Sequence, residues 1–340
     1  MPSAFIRIAP AVMLEQFEKI LTEQGLPPSK ASVIARVFME NSLDGVYSHG
    51  VNRFMKFIQY LRDGHINADG EPEIMHRHGM VEQWEGNSGP GILNALHCSE
   101  RAMEIASAHG IGCVALAHTT HWMRGGTYGW QVAKAGYAFI GWTNTIANMP
   151  AWGGIDPKLG NNPLVIAAPY KKEAIVLDMA MSQFSYGALE QKKNSNERLL
   201  VPGGYNRHGE ITYDAAEILD TQRVLPIGFW KGSGLSLMLD ILATILSSGL
   251  SVRRITDQGV ERGLSQVFIA IALEGLKSNP AIGKAIEDII SDYHQSSRTD
   301  AQRPVLYPGE RALKTRHDNE VNGIPVRRAI WGEIVSMVRL

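Results

Sequence analysis

The chain has 340 residues, with 33 Lys plus Arg against 34 Asp plus Glu and a formal net charge of -1. That length exceeds what one hydrophobic core usually supports and predicts two domains. The charge balance, with 44% hydrophobic and 20% charged residues, describes a globular protein and excludes a general pull on nucleic acid or an anionic membrane surface.

The N-terminus shows no signal peptide, because Glu15 arrives before any apolar run of useful length. Leu14, Phe17, Ile20 and Leu21 recur at helical spacing, and Gly25-Leu26-Pro27-Pro28 stops that helix. Ser29 is placed to cap a second helix with Val33, Ile34, Val37 and Phe38 as its inner stripe. Phe54, Phe57, Ile58 and Leu61 continue a third helical face up to Gly64. Between the second and third faces lies Asp44-Gly45-Val46-Tyr47-Ser48-His49-Gly50-Val51-Asn52-Arg53. A helix resuming at Ser48 would set His49 and Arg53 at i, i+4 on one face. An imidazole can protonate a carbonyl oxygen, and a guanidinium grips a neighbouring carboxylate through two parallel hydrogen bonds. The same residues also fit a plain helix end.

From about residue 73 short apolar runs alternate with helical segments. Strands are expected over 81–84, 111–117, 138–143, 164–168, 174–177 and 267–273, and helices over 92–108 and 128–135. This alternation predicts an α/β class with a sheet flanked by helices. Residues 235–246 form a nearly all-apolar helix, expected to be buried on most sides. The greasy run is too short to span a bilayer and carries Asp240, so no membrane partner is expected and the location is read as cytoplasmic. A helix over 282–293, a Pro/Arg-rich loop over 298–314 and a helix over 326–338 close the chain. The two cysteines, Cys98 and Cys113, form no CxxC and read as buried free thiols, which fits a reducing compartment.

Dinucleotide motifs are missing. Gly232-Ser233-Gly234 has Leu237 where a third glycine belongs, and Gly86-Asn87-Ser88-Gly89-Pro90-Gly91 places a proline where a helix must run. No Walker A, HExxH or nucleophile elbow occurs. His118 and His121 are spaced to share a helix face, but no third ligand accompanies them, so no metal is expected.

Tyr47-Ser48-His49-Gly50-Val51-Asn52-Arg53, His121-Trp122-Met123-Arg124-Gly125-Gly126 and Trp142-Thr143-Asn144 closely resemble the malate/L-lactate dehydrogenase-like oxidoreductases. Asn162-Pro163-Leu164, Asp178-Met179-Ala180-Met181-Ser182 and Trp230-Lys231-Gly232-Ser233-Gly234 extend the resemblance over essentially the whole chain in one order. It implies a nicotinamide-dependent enzyme with a non-Rossmann mixed sheet. Residues 1–72 together with 282–340 would form a helical substrate and dimer unit, and 73–281 an α/β cofactor-binding domain.

The resemblance further implies His49 as general acid/base and His121 as a second histidine that carries the proton in some relatives. It places Arg53, Ser48, Arg124 and Asn144 at the substrate. Ala174, Ile175, Val176, Leu177, Asp178, Met179 and Ala180 would border the cofactor, with Trp230, Lys231, Gly309, Glu310 and Arg311. The cofactor is expected to be NADH/NAD, with NADP open, and the assembly a homodimer. The wider family commonly has a small residue where Met123 and Arg124 stand, and Arg124, as a second cation near the pocket, favours a polyhydroxylated sugar acid over bare lactate or malate. The implied reaction is NADH-dependent reduction of a 2-oxo sugar acid. Malate, lactate, ureidoglycolate or imino acid turnover, or sugar-acid binding without catalysis, stand as alternatives.

Overall fold

The computed structural model describes residues 4–276, 281–300 and 303–337. Residues 301 and 302 of the expected C-terminal loop, and residue 338 of the last expected helix, lie outside them.

Strand β1 (Phe5–Ile8) leads into α1 (Pro10–Glu23), which starts on a proline whose missing N–H is no loss in a first turn. Met13, Phe17, Ile20 and Leu21 face inward, as their spacing predicts. Helix α2 (Pro28–Leu43) begins one residue before the expected cap. Pro28, with its backbone already preset for helix, takes the first turn, and Ser29 makes no cap bond. Helix α3 (Val51–Arg62) completes the unit. Phe17 of α1 stacks on Phe54 of α3 at 4.1 Å between ring centroids, and Phe38 of α2 meets Phe54 edge-on at 5.3 Å. All three rings are fully buried. Burial of this kind contributes about 1.5–3 kcal/mol per side chain and fixes the loop between α2 and α3.

A seven-stranded sheet forms the second layer. Hairpin β2 (Glu73–His78) and β3 (Val81–Glu85) is followed by α4 (Gly91–His109), β4 (Ile111–Thr119), α5 (Gly126–Lys134) and β5 (Tyr137–Thr143). A small ribbon, β6 (Met149–Pro150) with β7 (Pro157–Leu159), precedes the long hairpin β8 (Leu164–Tyr170) and β9 (Glu173–Met179). Next come α6 (Tyr186–Ser195), the ribbon β10 (Gly204–Tyr205) with β11 (Ile211–Thr212), α7 (Ala215–Thr221), α8 (Trp230–Ser247), α9 (Val252–Asp257) and β12 (Leu264–Ala272). The strand order is β2-β3-β4-β12-β5-β8-β9. Only β3 and β4 run parallel, and α4 is the crossover such a pair requires. The mixed sheet flanked by helices is the expected class.

Helices α4 and α5 cover one face, where Cys98, Ala102 and Val132 pack on Val114, Phe139 and Phe268. Helix α8 covers the other, with Leu239 and Ala243 against Ala115, Trp142 and Val267. It is not buried on most sides as expected. Its inner stripe is Gly232, Ser236, Leu239, Ala243 and Ser247, small residues that bring the helix close to the sheet. Leu235, Met238, Ile241, Leu242 and Ile245 lie outside, Ile245 being 64% exposed. No described element of this chain covers them.

The chain's end returns to its beginning. After α10 (Ile282–Gln295), the segment expected as loop up to 314 becomes helical at Glu310, opening α11 (Glu310–Asn322). Asn319 is its one buried residue, so no apolar period announced it. The helix expected over 326–338 divides into β13 (Ile324–Arg327), paired antiparallel with β1, and α12 (Arg328–Ser336). Ile324, Val326 and Ile334 join the core of α1, α2 and α3.

Candidate active site

The loop between α2 and α3 is held from behind. Ser42 Oγ accepts from the Val51 N–H at 2.8 Å, and Asn41 Nδ2 donates to the His49 carbonyl at 3.0 Å. Asn41 Oδ1 in turn accepts from Thr127 Oγ1 at 2.9 Å, which ties the loop to α5. Tyr47–His49 form a single 3-10 turn and the α-helix begins only at Val51, not at Ser48 as expected. The reason is Gly50, which passes so close to Ser42 that a Cβ would lie 2.3 Å from its Oγ. The chain bends there and restarts, leaving His49 before the helix and Arg53 in its first turn.

His121 arrives from the sheet. Beyond β4 the chain turns through Thr120, and the Met123 N–H donates to His121 Nδ1 at 2.9 Å. A nitrogen that accepts carries no proton, so the neutral ring holds its hydrogen on Nε2. The His121 ring stacks against that of His49, with centroids 5.8 Å apart and planes inclined by 26°. Ser48 Oγ lies 3.0 Å from His49 Nδ1, and Gly187 in the first turn of α6 packs on Ser48. Two histidines 72 positions apart are thus brought face to face. Neither is helical with His118, which sits at the end of β4 and bonds Glu85 at 2.7 Å.

Both rings stand in a cationic setting. Burial, then the neighbouring His121, Arg53 and Arg124, push His49 down to about 3. Burial, then Arg53 and Lys56, hold His121 well below the usual histidine range. Arg53 Nη2 meets Glu261 Oε2 at 3.2 Å, with Lys56 on the next turn of α3 and Tyr60 on the turn after that. Lys56 stands three residues after Arg53, a spacing that shares a helix face and was readable from the sequence. Glu261 is 208 positions from Arg53, and nothing local pointed to it.

The depressed histidine has a consequence for stability. Between about 3 and the unfolded value near 6.5, the unfolded chain binds a proton at His49 that the native state refuses. The contribution of this site is therefore complete above 6.5 and is lost as pH falls toward 3. In denaturant titrations from pH 4.5 to 6.5, His49→Gln is expected to give a shallower loss of stability on acidification than wild type. The difference stays below the about 1.4 kcal/mol per pH unit of one full proton, because His49 is only half-buried. Parallel slopes would contradict this.

Two residues expected at the substrate are engaged elsewhere. Asn144 is fully buried; its amide donates to Asp240 Oδ1 at 3.1 Å and the Leu250 carbonyl at 2.7 Å, and its oxygen accepts from the Ser265 N–H at 2.8 Å. Both its hydrogens are used in bracing the β5 and β12 ends. Arg124, 8% exposed, donates to the Asp44 carboxylate, which also takes Arg316 Nε of α11 at 2.6 Å. Asp44 thereby joins the His49 loop, the His121 turn and α11. The charge of Arg124 still reaches His49.

The expected cofactor segment forms the outer edge of the sheet. Ala174 to Met179 lie in β9, paired on one side with β8 only, and Ala180 follows directly. On the open side the Val176 N–H donates to the Pro308 carbonyl at 3.0 Å. Gly309, with φ of +94°, rests against the Val176 backbone and Trp130, where a Cβ would meet both at 3.1–3.4 Å. Asp178 Oδ2 accepts from the Gly126 N–H at 2.7 Å, at the start of α5. Glu310 is held by Lys314 and His294, each at 2.7 Å, which keep its carboxyl low against the effect of burial. Arg311 is exposed in the same turn. Trp230 and Lys231 are exposed in the first turn of α8, tied to the exit of β9 by the Ile227 N–H to Met181 carbonyl bond at 2.8 Å.

Residues 8–335 match the family described as malate/L-lactate dehydrogenase. The chain belongs to this family. The 2,3-diketo-L-gulonate reductases of Escherichia coli K12 (DH10B) and Citrobacter koseri are each 41% identical to it. The first aligns over 322 residues, 94% of this chain and 97% of the relative; the second over 324, 95% and 97%. Among solved structures, malate dehydrogenase from Pyrococcus horikoshii OT3 superposes with a TM-score of 0.88 at 26% identity, covering 99% of this chain and 96% of that one. Malate dehydrogenase from Entamoeba histolytica reaches 0.92 at 22% identity, covering 99% of both chains, a likeness of fold. As a member of this dehydrogenase family the chain is an oxidoreductase acting on CH–OH groups, and the family points to a nicotinamide cofactor. The outer-edge position of β9 and the buried Trp130 Nε1, which has no partner among the described residues, fit a bound group.

Proposed function

We propose that this enzyme reduces the carbonyl adjacent to the carboxylate of a 2-oxo sugar acid, converting 2,3-diketo-L-gulonate to 3-dehydro-L-gulonate with NADH. The observation that carries the reading is the stacked pair His49 and His121 with Arg53 one turn beyond. A bound reduced nicotinamide supplies a hydride to the carbonyl carbon. Arg53 receives the substrate carboxylate, and His49 gives the proton to the carbonyl oxygen. Arrival of that carboxylate offsets the Arg53 share of what keeps His49 neutral, after the larger effects of burial and His121, and so shifts His49 toward the protonated form. His121, protonated on Nε2, is the second hydrogen-bond donor. Ser48 orients the His49 ring through Nδ1. Arg124 and Asn144 act behind the site as braces.

The segment Ala174 to Ala180, Trp230, Lys231 and the turn Gly309 to Arg311 hold the cofactor, chiefly through backbone groups and the Lys231 cation. The helical unit from both chain ends carries the substrate, and the sheet carries the cofactor. A homodimer is supported by the uncovered apolar face of α8, which a second copy would bury; sedimentation of the intact chain tests it. The cytoplasm fits the free thiols Cys98 and Cys113.

An oxidation screen with NADH and NADPH against sugar-derived and simple 2-oxo acids tests the reaction, and no turnover of any 2-oxo acid would defeat it. Arg53→Lys separates the clamp from mere charge. Lysine keeps attraction but loses the paired geometry. A charged hydrogen bond contributes about 1.5–3 kcal/mol, so kcat/KM is expected to fall about ten- to a hundredfold, with cofactor affinity unchanged. A change in cofactor affinity alone would remove Arg53 from the substrate.

A further inference from the structure

Glu261 is placed at the site by a tight loop between α9 and β12, flanked by Gly259 and Gly263, both left-handed. Its carboxylate is 12% exposed and, among the described residues, its one side-chain hydrogen bond is to the Nη2 end of Arg53. Guanidinium offers five N–H donors, so Arg53 keeps donors for a substrate carboxylate while holding Glu261. Around this pair Arg53 and Glu261 offset each other, Lys56 adds a cation on the next turn of α3, and the charge of Arg124 reaches the site from beside Asp44. One incoming carboxylate is taken by Arg53. A second, carried on the substrate's tail, would meet the Glu261 carboxylate, which solvent barely screens. Hydroxyl groups face no such penalty, since Glu261 Oε1 and Oε2 accept hydrogen bonds from them.

We propose that Glu261 determines specificity: it accepts hydrogen bonds from the hydroxylated tail of the substrate and repels 2-oxo acids that carry a second carboxylate. This rests on the 2-oxo acid reductase reading above and names the feature that separates a sugar acid from a malate-type substrate. Arg53, which any 2-oxo acid uses, makes no such distinction.

The test compares wild type, Glu261→Gln and Glu261→Asp on 2,3-diketo-L-gulonate, oxaloacetate and pyruvate, by steady-state kinetics and by calorimetric dissociation constants. Like charges placed together at a binding site are strongly disfavoured. Glu261→Gln is therefore expected to raise the oxaloacetate to sugar-acid ratio of kcat/KM about tenfold or more, mainly through KM. Pyruvate, with one carboxylate and no tail, is expected to change least. Glu261→Asp keeps the charge and should keep the wild-type ranking. An unchanged ratio overturns the proposal, and so does an equal change on all three substrates, which would make Glu261 a mere prop for Arg53. Failure of wild type to turn over any of the three overturns the reductase reading instead, and the dissociation constants then decide on Glu261 alone.

Discussion

Turnover by His49→Gln is expected to fall by about 10²–10⁴ in kcat, the usual value of general acid help, while cofactor binding barely moves. Glutamine fills a similar volume and makes hydrogen bonds but cannot give up a proton as an acid. The stacked arrangement makes His121 the competing donor, because its Nε2 hydrogen is set by the Met123 N–H bond at Nδ1. The two are separated by parallel variants and single-turnover kinetics. Loss of the chemical step in His121→Gln, with His49→Gln near normal, would exchange their roles. Substrate affinity is expected to hold in both variants, since Arg53 and its partner Glu261 are untouched. A collapse of affinity without loss of the chemical step would make the histidines binding groups only.

The second large effect concerns stability. Asp44 is 8% exposed and neutralises Arg124, equally buried, together with Arg316. Asp44→Asn removes the charge while keeping the shape, which leaves the Arg124 guanidinium buried without a counter-charge. Breaking one partner of a buried pair costs about 3–5 kcal/mol, a large part of the stability of an ordinary domain. Denaturant unfolding of the variant should show a lower midpoint by that amount. Arg316→Gln should cost far less, because that side chain is 35% exposed and water takes over its share. Equal costs for the two variants would show that Asp44 is not the anchor. Because Asp44 joins three segments, residual activity in Asp44→Asn should fall more steeply than folded fraction, through misplacement of the His49 loop against the His121 turn.

Much of this molecule was legible in local pattern. Phe17, Phe38 and Phe54 announced the N-terminal helices through spacing alone, and the strands carrying Val114, Phe139 and Val165 stood out as β-rich runs. Helical and strand periods are local properties of the backbone, so they survive without tertiary knowledge. Polar α11 escaped, because with Asn319 as its one buried residue it has no apolar period to show. The outward face of α8 escaped for the opposite reason: an all-apolar helix signals burial all round, while in the fold only its small-residue stripe meets the sheet. At the site, His49 and Arg53 were marked by closeness in sequence and by resemblance. Only the fold decided that His49 stacks on His121, that Glu261 meets Arg53 across 208 positions, and that Arg124 turns to Asp44. Asn144 shows why: a polar residue at a strand end suits a ligand or a brace equally, and the choice depends on which groups from distant segments arrive to satisfy it. Local sequence determined the elements and the chemistry available to them. The pairing of charges and hydrogen bonds between distant elements, which decides what each group is free to do, came only with the tertiary structure.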